Sequence, residues 1–452
     1  MTPDLRTALG DGDFAKALAI ILALPPQDRD RCEIGVYEAD ALGRLGRHDE
    51  EIALLEQLIA REPANPALQL SLMNALKTVG RTADAIAAAR AALALKPDYG
   101  KAWWLLADLK TFAFSDADVT AMQAVLSGSL APADRQNLHF ALGRAFEQRG
   151  DAARAFADYA DGNALGAAGA PAAIAGVTAR TDQAMATFTP EFFAERQGYG
   201  DDSDAPIFIV GLHRSGSTLI EQILAAHPLV EATSELPVLG QLMRAIVFDA
   251  ALPGDTPMAR LAAIDAGRAR ALGAEYLARA ADYRTSGKPR FIDKMPANWA
   301  QVGLIQLILP NATIIDARRH PMATGFSNFR QNYGAGAAWS FSLEGIGRYY
   351  ADYLRLMRHF DRVLPGKALR VVNERLIEDF EPQVRRLLDH VGIAFDPACL
   401  DFHRSNRPVR SASAEQVRRP VNREGVDQWR AFEPWLGALK TALGPALEDW
   451  ES

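Results

Sequence analysis

The stretch PIFIVGLHRSGSTLIEQILAAHP at residues 206–228 decides the fold of the larger part of the chain. Residues 206–210 are a short apolar run rich in β-branched side chains, which predicts a buried strand of a parallel sheet. A glycine turn follows, and beyond it the apolar residues have helical spacing. A strand, a glycine turn and a helix N-terminus together predict an anion site, because the backbone N–H groups converge and the helix dipole favours negative charge.

This turn differs at one position from the loop that holds nucleoside triphosphates. That signature is G-x-x-x-x-G-K-[ST], and here Gly216 is followed by Ser217, so the lysine is missing. Without the lysine, the loop is poorly equipped to hold β- and γ-phosphates with a metal ion. Arg214 instead offers a planar fork that suits a phosphate or a sulfate. The predicted anion-binding residues are Arg214, Ser215, Gly216, Ser217 and Thr218.

The N-terminal part of the chain repeats with a period of 34 residues. Three glycines share this spacing: Gly12, Gly46 and Gly80. Pro63 and Pro97 repeat the same interval. Glycine can end a first helix where φ must be positive, and proline ends the second, so the period predicts stacked helix pairs. The pattern resembles tetratricopeptide repeats, which commonly present a surface to peptides or partner proteins.

The bulk composition is that of an ordinary water-soluble protein. Of 452 residues 49% are apolar, and the longest apolar runs are far too short to cross a membrane. The first residues lack the layout of a signal peptide, and Cys32 and Cys399 stand alone, so a cytoplasmic location is expected. The net charge of −7 gives no basic footprint for nucleic acid.

The motif G-x-x-R-S-G-[ST]-T-L in residues 211–219 resembles the 5′-phosphosulfate loop of sulfotransferases that use 3′-phosphoadenosine-5′-phosphosulfate (PAPS). The match is closest to the protein-tyrosine sulfotransferase branch and its bacterial relatives with N-terminal tetratricopeptide repeats. The resemblance implies PAPS as donor, 3′,5′-adenosine bisphosphate (PAP) as product, and no required metal. It also implies a P-loop-like, three-layer α/β domain with a mainly parallel sheet. The expected organisation is an all-α repeat solenoid at 1–165, a helical linker at 166–204 and the sulfotransferase domain at 205–452.

The same resemblance assigns the donor's 3′-phosphate to a second site. After a predicted strand at 312–317, Arg319 and Ser327 have the family's spacing, and Pro321 places Ser327 on a helix. Arg330 matches a further family arginine loosely. In the tail, Ser413 and Arg418 match a loop that closes over the donor. At Asn373 the chain departs from the tyrosine common in relatives, which puts that nucleotide contact in doubt.

The catalytic assignments follow from the resemblance as well. Lys294, after a predicted strand, is the family's lysine at the transferring sulfuryl group, and Arg214 stabilises charge there. Removing the acceptor's proton requires a base, and Glu235 stands at the position of the family's glutamate, with Glu231 as its competitor. By analogy with the cytosolic branch, His213 and His227 would be bases, but His227 precedes a proline at a predicted helix end, which favours a structural role. The acceptor remains open: the repeats favour a peptide or protein, with a tyrosine hydroxyl, whereas a sugar or lipid-linked glycan fits bacterial relatives.

Two other function classes remain. The first is a nucleoside-triphosphate-dependent kinase with an altered loop, which would use Asp293 or Asp316 as its magnesium ligand; the missing lysine argues against it. The second is a non-catalytic scaffold in which the repeats provide the function. Retention of all the predicted site residues in one chain argues against that reading.

Overall fold

The chain divides into two compact units, which we describe separately. The computed structural model describes residues 2–333, 337–405, 407–409, 411 and 414–451. The first unit is Met1–Leu165 with Asn406–Arg418, and the second is Gly166–Ser405 with Arg419–Ser452. The chain therefore passes from one unit to the other more than once. No helix in the described part of the chain is long and apolar enough to cross a membrane.

Residues 2–165 of the first unit form helices and the turns between them. Consecutive helices pack as pairs, α4 on α5 and α6 on α7, as the 34-residue period predicts, and α8 packs on α10. The helices are α1 (Pro3–Asp11), α2 (Phe14–Leu22), α3 (Pro26–Arg29), α4 (Cys32–Arg44), α5 (His48–Arg61), α6 (Pro66–Thr78), α7 (Thr82–Leu95), α8 (Gly100–Asp108), α9 (Asp116–Leu126), α10 (Pro132–Gln148) and α11 (Ala152–Gly166).

The repeated glycines close the first helix of each pair. Gly12, Gly46 and Gly80 have φ angles of 73°, 77° and 83°, a left-handed conformation that glycine adopts without steric cost. Beside Gly80, for example, the N–H of Arg81 donates to the carbonyl of Leu76 at 2.9 Å, as in a Schellman turn. The predicted role of the repeated glycines is confirmed.

A segment from far along the chain also belongs to the first unit. In residues 407–418, the N–H of Val409 donates to the carbonyl oxygen of Thr78 at 3.0 Å. The Thr111 side chain donates to Glu415 at 2.7 Å. Val409 and Val417 are 3% and 8% exposed, so apolar side chains of this segment are buried. We call its described residues, 407–409, 411 and 414–418, the tail segment.

The second unit is an α/β structure. Its strands are β1 (Pro206–Gly211), β2 (Val230–Ala232), β3 (Arg290–Asp293), β4 (Thr313–Arg318) and β5 (Ala368–Val372). Its helices are α12 (Ala170–Thr187), α13 (Pro190–Ala194), α14 (Ser217–Ala225), α15 (Val238–Phe248), α16 (Pro257–Ala262), α17 (Ala266–Ala281), α18 (Val302–Ile308), α19 (Pro321–Phe329), α20 (Leu343–Val363), α21 (Asn373–Glu378), α22 (Phe380–Val391) and α23 (Gly437–Leu443).

The five strands form one parallel sheet in the order β2-β3-β1-β4-β5. From central β1 the chain crosses to β2 on one side, returns to β3, and then continues past β1 to β4 and β5. Because parallel crossovers are right-handed, this reversal places helices on both faces of the sheet. The predicted three-layer domain with a parallel sheet is confirmed. The carboxyl ends of β1, β2, β3 and β4 lie at one edge, where ligands bind in such folds.

The helix in the predicted linker packs within the second unit. Helix α12 lies along α20, where the hydroxyl of Thr178 donates to Asp352 at 2.6 Å and Arg355 donates to Asp182 at 2.6 Å. The first of these contacts is more sheltered than the second, because Asp352 is buried and Asp182 is exposed. In this structure α12 supports the α/β unit from one side.

Candidate active site

The loop between β1 and α14 depends on two glycines and one left-handed arginine. Gly211 ends β1 with φ 136°, and a Cβ there would overlap the carbonyl oxygen of Ala317 on β4. Gly216 precedes α14 with φ 93°, and a Cβ there would overlap Oδ1 of Asn373. Between them Arg214 has φ 69°, which costs a non-glycine residue about 1–3 kcal/mol. The residue that departs from the family pattern, Asn373, therefore packs against the loop itself.

Three hydroxyl side chains of the loop and the helix start are buried. Ser215, Ser217 and Thr218 are 2%, 5% and 6% exposed. Among the described residues, Oγ of Ser215 has no hydrogen-bond partner, whereas buried hydroxyls normally have one. Helix α14 begins at Ser217, so the N–H groups of its first turn point out of the helix at the same place. An unpartnered hydroxyl at a helix N-terminus fits the binding of an anion such as a phosphosulfate.

Two arginines and a serine from three different segments meet beside this loop. The Nε–H of Arg214 donates to Oγ of Ser327 on α19 at 3.0 Å. Arg319 follows β4, and its guanidinium donates to the carbonyl oxygen of Arg214 at 3.1 Å and to that of Gly425. The structure thus brings together the residues predicted for the two anionic ends of the donor.

The Arg319 guanidinium is cationic but has no anionic partner. It makes no ion pair with any described residue, and its buried Nε–H has no acceptor. Burial lowers the pKa of Arg319 to about 10, and the charges of Arg214 and Arg330 act in the same direction, while Glu374 opposes them. A phosphate at this place would relieve that cationic repulsion, so the residues present fit the predicted 3′-phosphate site.

Lys294 and Glu235 form an ion pair at the same edge of the sheet. The Nζ of Lys294 donates to Oε1 of Glu235 at 2.6 Å. The Lys294 side chain is 2% exposed, whereas that of Glu235 is 41% exposed. The backbone of the preceding residue, Ser234, is left-handed with φ 67°, and its carbonyl accepts the Lys294 N–H at 3.0 Å. The lysine is therefore fixed, and the glutamate is open to an incoming molecule.

His213 connects the loop with this ion pair. Burial lowers its pKa, and the charges of Glu235, Lys294 and Arg214 all act on it, so these four side chains share one neighbourhood. Its ring lies 5.4 Å from that of Tyr333, and its Nδ1 is buried without a partner in the described part of the chain. The sequence singled out this histidine only by analogy, and the structure places it among the catalytic candidates.

Glu231, the competitor of Glu235, has a structural role. Its carboxylate pairs with Arg284 at 2.6 Å and accepts hydrogen bonds from the N–H and hydroxyl of Ser286 at 2.9 and 2.6 Å. The residue is 6% exposed. With its acceptor oxygens already engaged and little access to solvent, Glu231 is less suited than Glu235 to take a proton from an acceptor.

The two carboxylates of the kinase alternative are also held in the core. Asp293 accepts a hydrogen bond from the hydroxyl of Tyr276 at 2.9 Å and is 0% exposed. Asp316 is paired with Arg318 at 2.6 Å and accepts from the hydroxyl of Tyr353. Each carboxylate is thus engaged by protein groups, which disfavours the magnesium role weighed for them.

Three further residues are predicted to contact the donor: Arg330, Arg418 and Ser413. Arg330 donates to Oε1 of Gln428 at 2.7 Å. Arg418 lies in the tail segment of the first unit, where it donates to the carbonyl oxygens of Thr78 and Arg407 at 3.3 and 3.4 Å. Ser413 falls outside the described residues. Donor binding by these three residues stays a prediction.

Comparison with known proteins agrees with this geometry. Residues 206–397, which lie in the second unit, match the sequence profile of the Sulfotransferase family. This stretch contains the loop, Glu235, Lys294, Arg319 and Ser327. Residues 25–95 match the profile of the bacterial transcriptional activator domain, within the helical repeats.

Individual relatives extend over different parts of the chain. An uncharacterized protein of Aquifex aeolicus (strain VF5) is 29% identical over 415 residues, which is 90% of this chain but only 54% of that protein's own length. A candidate protein-tyrosine sulfotransferase of Caenorhabditis briggsae is 23% identical over 232 residues, covering 49% of this chain and 80% of that protein. The sulfotransferase domain of the Synechococcus PCC 7002 olefin synthase superposes with a TM-score of 0.38 at 22% identity, covering 52% of this chain and 90% of that domain.

Proposed function

We propose that the chain is a sulfotransferase that moves a sulfuryl group from PAPS to a hydroxyl acceptor. One observation carries the proposal: Arg214, Ser327 and Arg319 join into one cationic cluster beside the glycine loop. Two anion sites next to each other suit a nucleotide with a 5′-phosphosulfate and a 3′-phosphate. Bound PAPS would supply the sulfuryl group on an activated phosphate and would leave as PAP.

The protein's own residues perform three tasks in this proposal. Arg214, with the hydroxyls and N–H groups of residues 215–218, holds the 5′ end of the donor, and Arg319 with Ser327 holds the 3′ end. Lys294 and Arg214 stabilise the negative charge that develops as the S–O bond to the phosphate breaks. The exposed carboxylate of Glu235 takes the hydroxyl proton of the acceptor as the new S–O bond forms. The positive charge that transfer requires is present in these side chains, so the proposed mechanism uses no metal.

The acceptor is a separate part of the proposal. A protein or peptide tyrosine is the acceptor that the catalytic resemblance implies, and the Caenorhabditis relative carries that description in its name. A sugar or a lipid-linked glycan is the competing acceptor. The repeats would bind a peptide acceptor or a partner protein on the helix surface that the tail segment leaves uncovered.

Binding and turnover of the purified full chain test the proposal. Calorimetric titration with PAP should show binding, whereas ADP with magnesium should bind much more weakly, because it lacks the 3′-phosphate. PAPS consumption should then be measured with a tyrosine peptide and with an oligosaccharide, and mass spectrometry should detect the sulfated product. Preference for ADP with magnesium would favour the kinase, and binding of neither ligand would favour the scaffold.

Replacement of Glu235 by glutamine tests the base. We expect turnover to fall by 100-fold or more, in the range of about 10²–10⁴ that a positioned base contributes, with PAP affinity nearly unchanged. Glu275→Gln is a matched control, because the Glu275 side chain on α17 is 37% exposed and pairs with Arg279. Wild-type turnover in Glu235→Gln would remove Glu235 from the mechanism.

A further inference from the structure

The turn that carries Glu235 is fastened to the end of β3. The N–H and the hydroxyl of Thr233 donate to the carbonyl oxygen of Ile292 at 3.1 and 2.7 Å. The Lys294 N–H donates to the carbonyl of Ser234 at 3.0 Å, and the N–H of Leu236 donates to Oδ1 of Asp293 at 3.4 Å. Asp293 is therefore a side chain of β3 that holds this turn through a backbone N–H.

Two consecutive residues, Asp293 and Lys294, bind the turn on both sides of Glu235. Lys294 donates to the Glu235 carboxylate through its side chain and to the carbonyl oxygen of Ser234 through its N–H. Asp293 accepts the N–H of Leu236. The left-handed backbone of Ser234 lies between these contacts. Because a left-handed serine is strained, the turn needs such contacts on both sides to keep one conformation.

Asp293 is an unusual residue to find at this place. It is 0% exposed, and it makes no ion pair with any of the residues that the structure describes. Its second oxygen accepts the hydroxyl of Tyr276 from α17, whose ring packs against Phe208 of β1 and Phe291 of β3. A buried carboxyl without an ion pair is costly, whereas an apolar residue would fill the same space without that penalty. Stability does not account for a carboxyl here.

We propose that Asp293 is a positioning residue for sulfuryl transfer, which holds the Glu235 turn in register with Lys294. The inference rests on the proposed function, since it requires Glu235 and Lys294 to act on the reacting groups. Burial raises the pKa of Asp293 to about 7, with Glu235 acting in the same direction, while Tyr276, the Leu236 N–H and Lys294 oppose it. The ionised form accepts the Leu236 N–H more strongly, so the turn is held best above neutral pH.

Three variants of the full chain separate positioning from folding. Asp293→Ala removes the acceptor of the Leu236 N–H, and we expect kcat to fall at least tenfold while the PAP dissociation constant and the donor KM change less than twofold. Asp293→Asn keeps an acceptor oxygen of the same size but does not titrate. We expect kcat of the wild type to rise with pH in a step near pH 7. Asp293→Asn should retain kcat within about threefold and should lack this step. Tyr276→Phe keeps the carboxyl and should show a step.

The outcomes are distinguishable. Wild-type kcat in Asp293→Ala would overturn the inference. An unchanged pH profile in Asp293→Asn would also overturn it, and this test remains available if Asp293→Ala does not fold. Equal losses of kcat and PAP affinity would show a structural effect and would overturn it as well. If the wild-type chain neither binds PAP nor transfers sulfate, the proposed function fails, and the inference falls with it. Faster hydrogen exchange of the Leu236 amide in Asp293→Ala, measured without substrate, would support it.

Discussion

Replacing Arg319 by alanine should weaken PAP binding by about 10- to 150-fold. The guanidinium has five N–H donors, and two of its nitrogens already donate to the carbonyl oxygens of Arg214 and Gly425. The remaining donors, including the buried Nε–H, which has no partner among the described residues, would bind the 3′-phosphate. A hydrogen bond to a charged group contributes about 1.5–3 kcal/mol, and about 1.4 kcal/mol corresponds to a factor of ten in affinity.

The ligand provides the decisive comparison. Isothermal titration with PAP and with 5′-AMP, which lacks the 3′-phosphate, should show the loss for PAP and almost none for 5′-AMP. Arg430→Ala is the matched control, because Arg430 is an exposed arginine of the same unit that pairs with Asp427. Equal losses for the two ligands would show that Arg319 supports the fold of the loop instead of binding the 3′-phosphate, and no loss for PAP would remove it from the site.

Three further predictions concern stability. Gly216→Ala should lower the stability of the second unit by about 1–3 kcal/mol, because the new Cβ meets a neighbouring side chain and φ is 93°. In the control Gly240→Ala, the new Cβ has nothing within 4 Å, so this variant should be neutral or stabilising in thermal unfolding. Burial raises the folded-state pKa of Asp293 to about 7, so its contribution to stability is full below about pH 4 and is lost as the pH rises through 7. Between pH 5 and 7, the free energy of unfolding of the wild type, measured in urea, should therefore fall by about 2–3 kcal/mol relative to that of Asp293→Asn, at about 1.4 kcal/mol per pH unit. The same pH dependence of the unfolding free energy in both proteins would contradict this. Asp316→Ala removes the carboxylate that pairs with the buried guanidinium of Arg318, and should cost about 3–5 kcal/mol; an unchanged melting temperature would refute that.

Sequence patterns predicted the parts of the fold that depend on neighbouring residues. The apolar run 206–210 is the central strand β1, and the 34-residue glycine period marks left-handed helix ends. Pro321 begins α19, which places Ser327 on that helix. Periodicity, glycine and proline act over a few residues, so a single sequence reveals them. The grouping of Arg214 with Arg319 and Ser327 was expected from the family resemblance, and parallel strands that end at one edge bring these segments together.

Contacts between segments that are distant in the sequence could not be predicted from such local patterns. The sequence gives no sign that Tyr276 bonds to Asp293, since the partner stands on a helix with its own periodicity. It also gives no sign that Gly425 supplies a carbonyl to Arg319, because any residue has a carbonyl. Arg418 bonds to Thr78, 340 residues earlier in the chain. Such pairings depend on tertiary packing, and local spacing carries no information about them.

The tail segment has a practical consequence for dividing this protein. A fragment cut after residue 165 would leave the repeats without the segment that covers Thr78 and Thr111. In the complementary fragment, Val409 and Val417, which are buried in the full chain, would be separated from the unit to which their segment belongs. We therefore expect that neither fragment is suitable for separate expression or for fusion to another protein. We expect such fragments to aggregate, and a lineage that exchanged the repeats would have had to alter the tail segment with them.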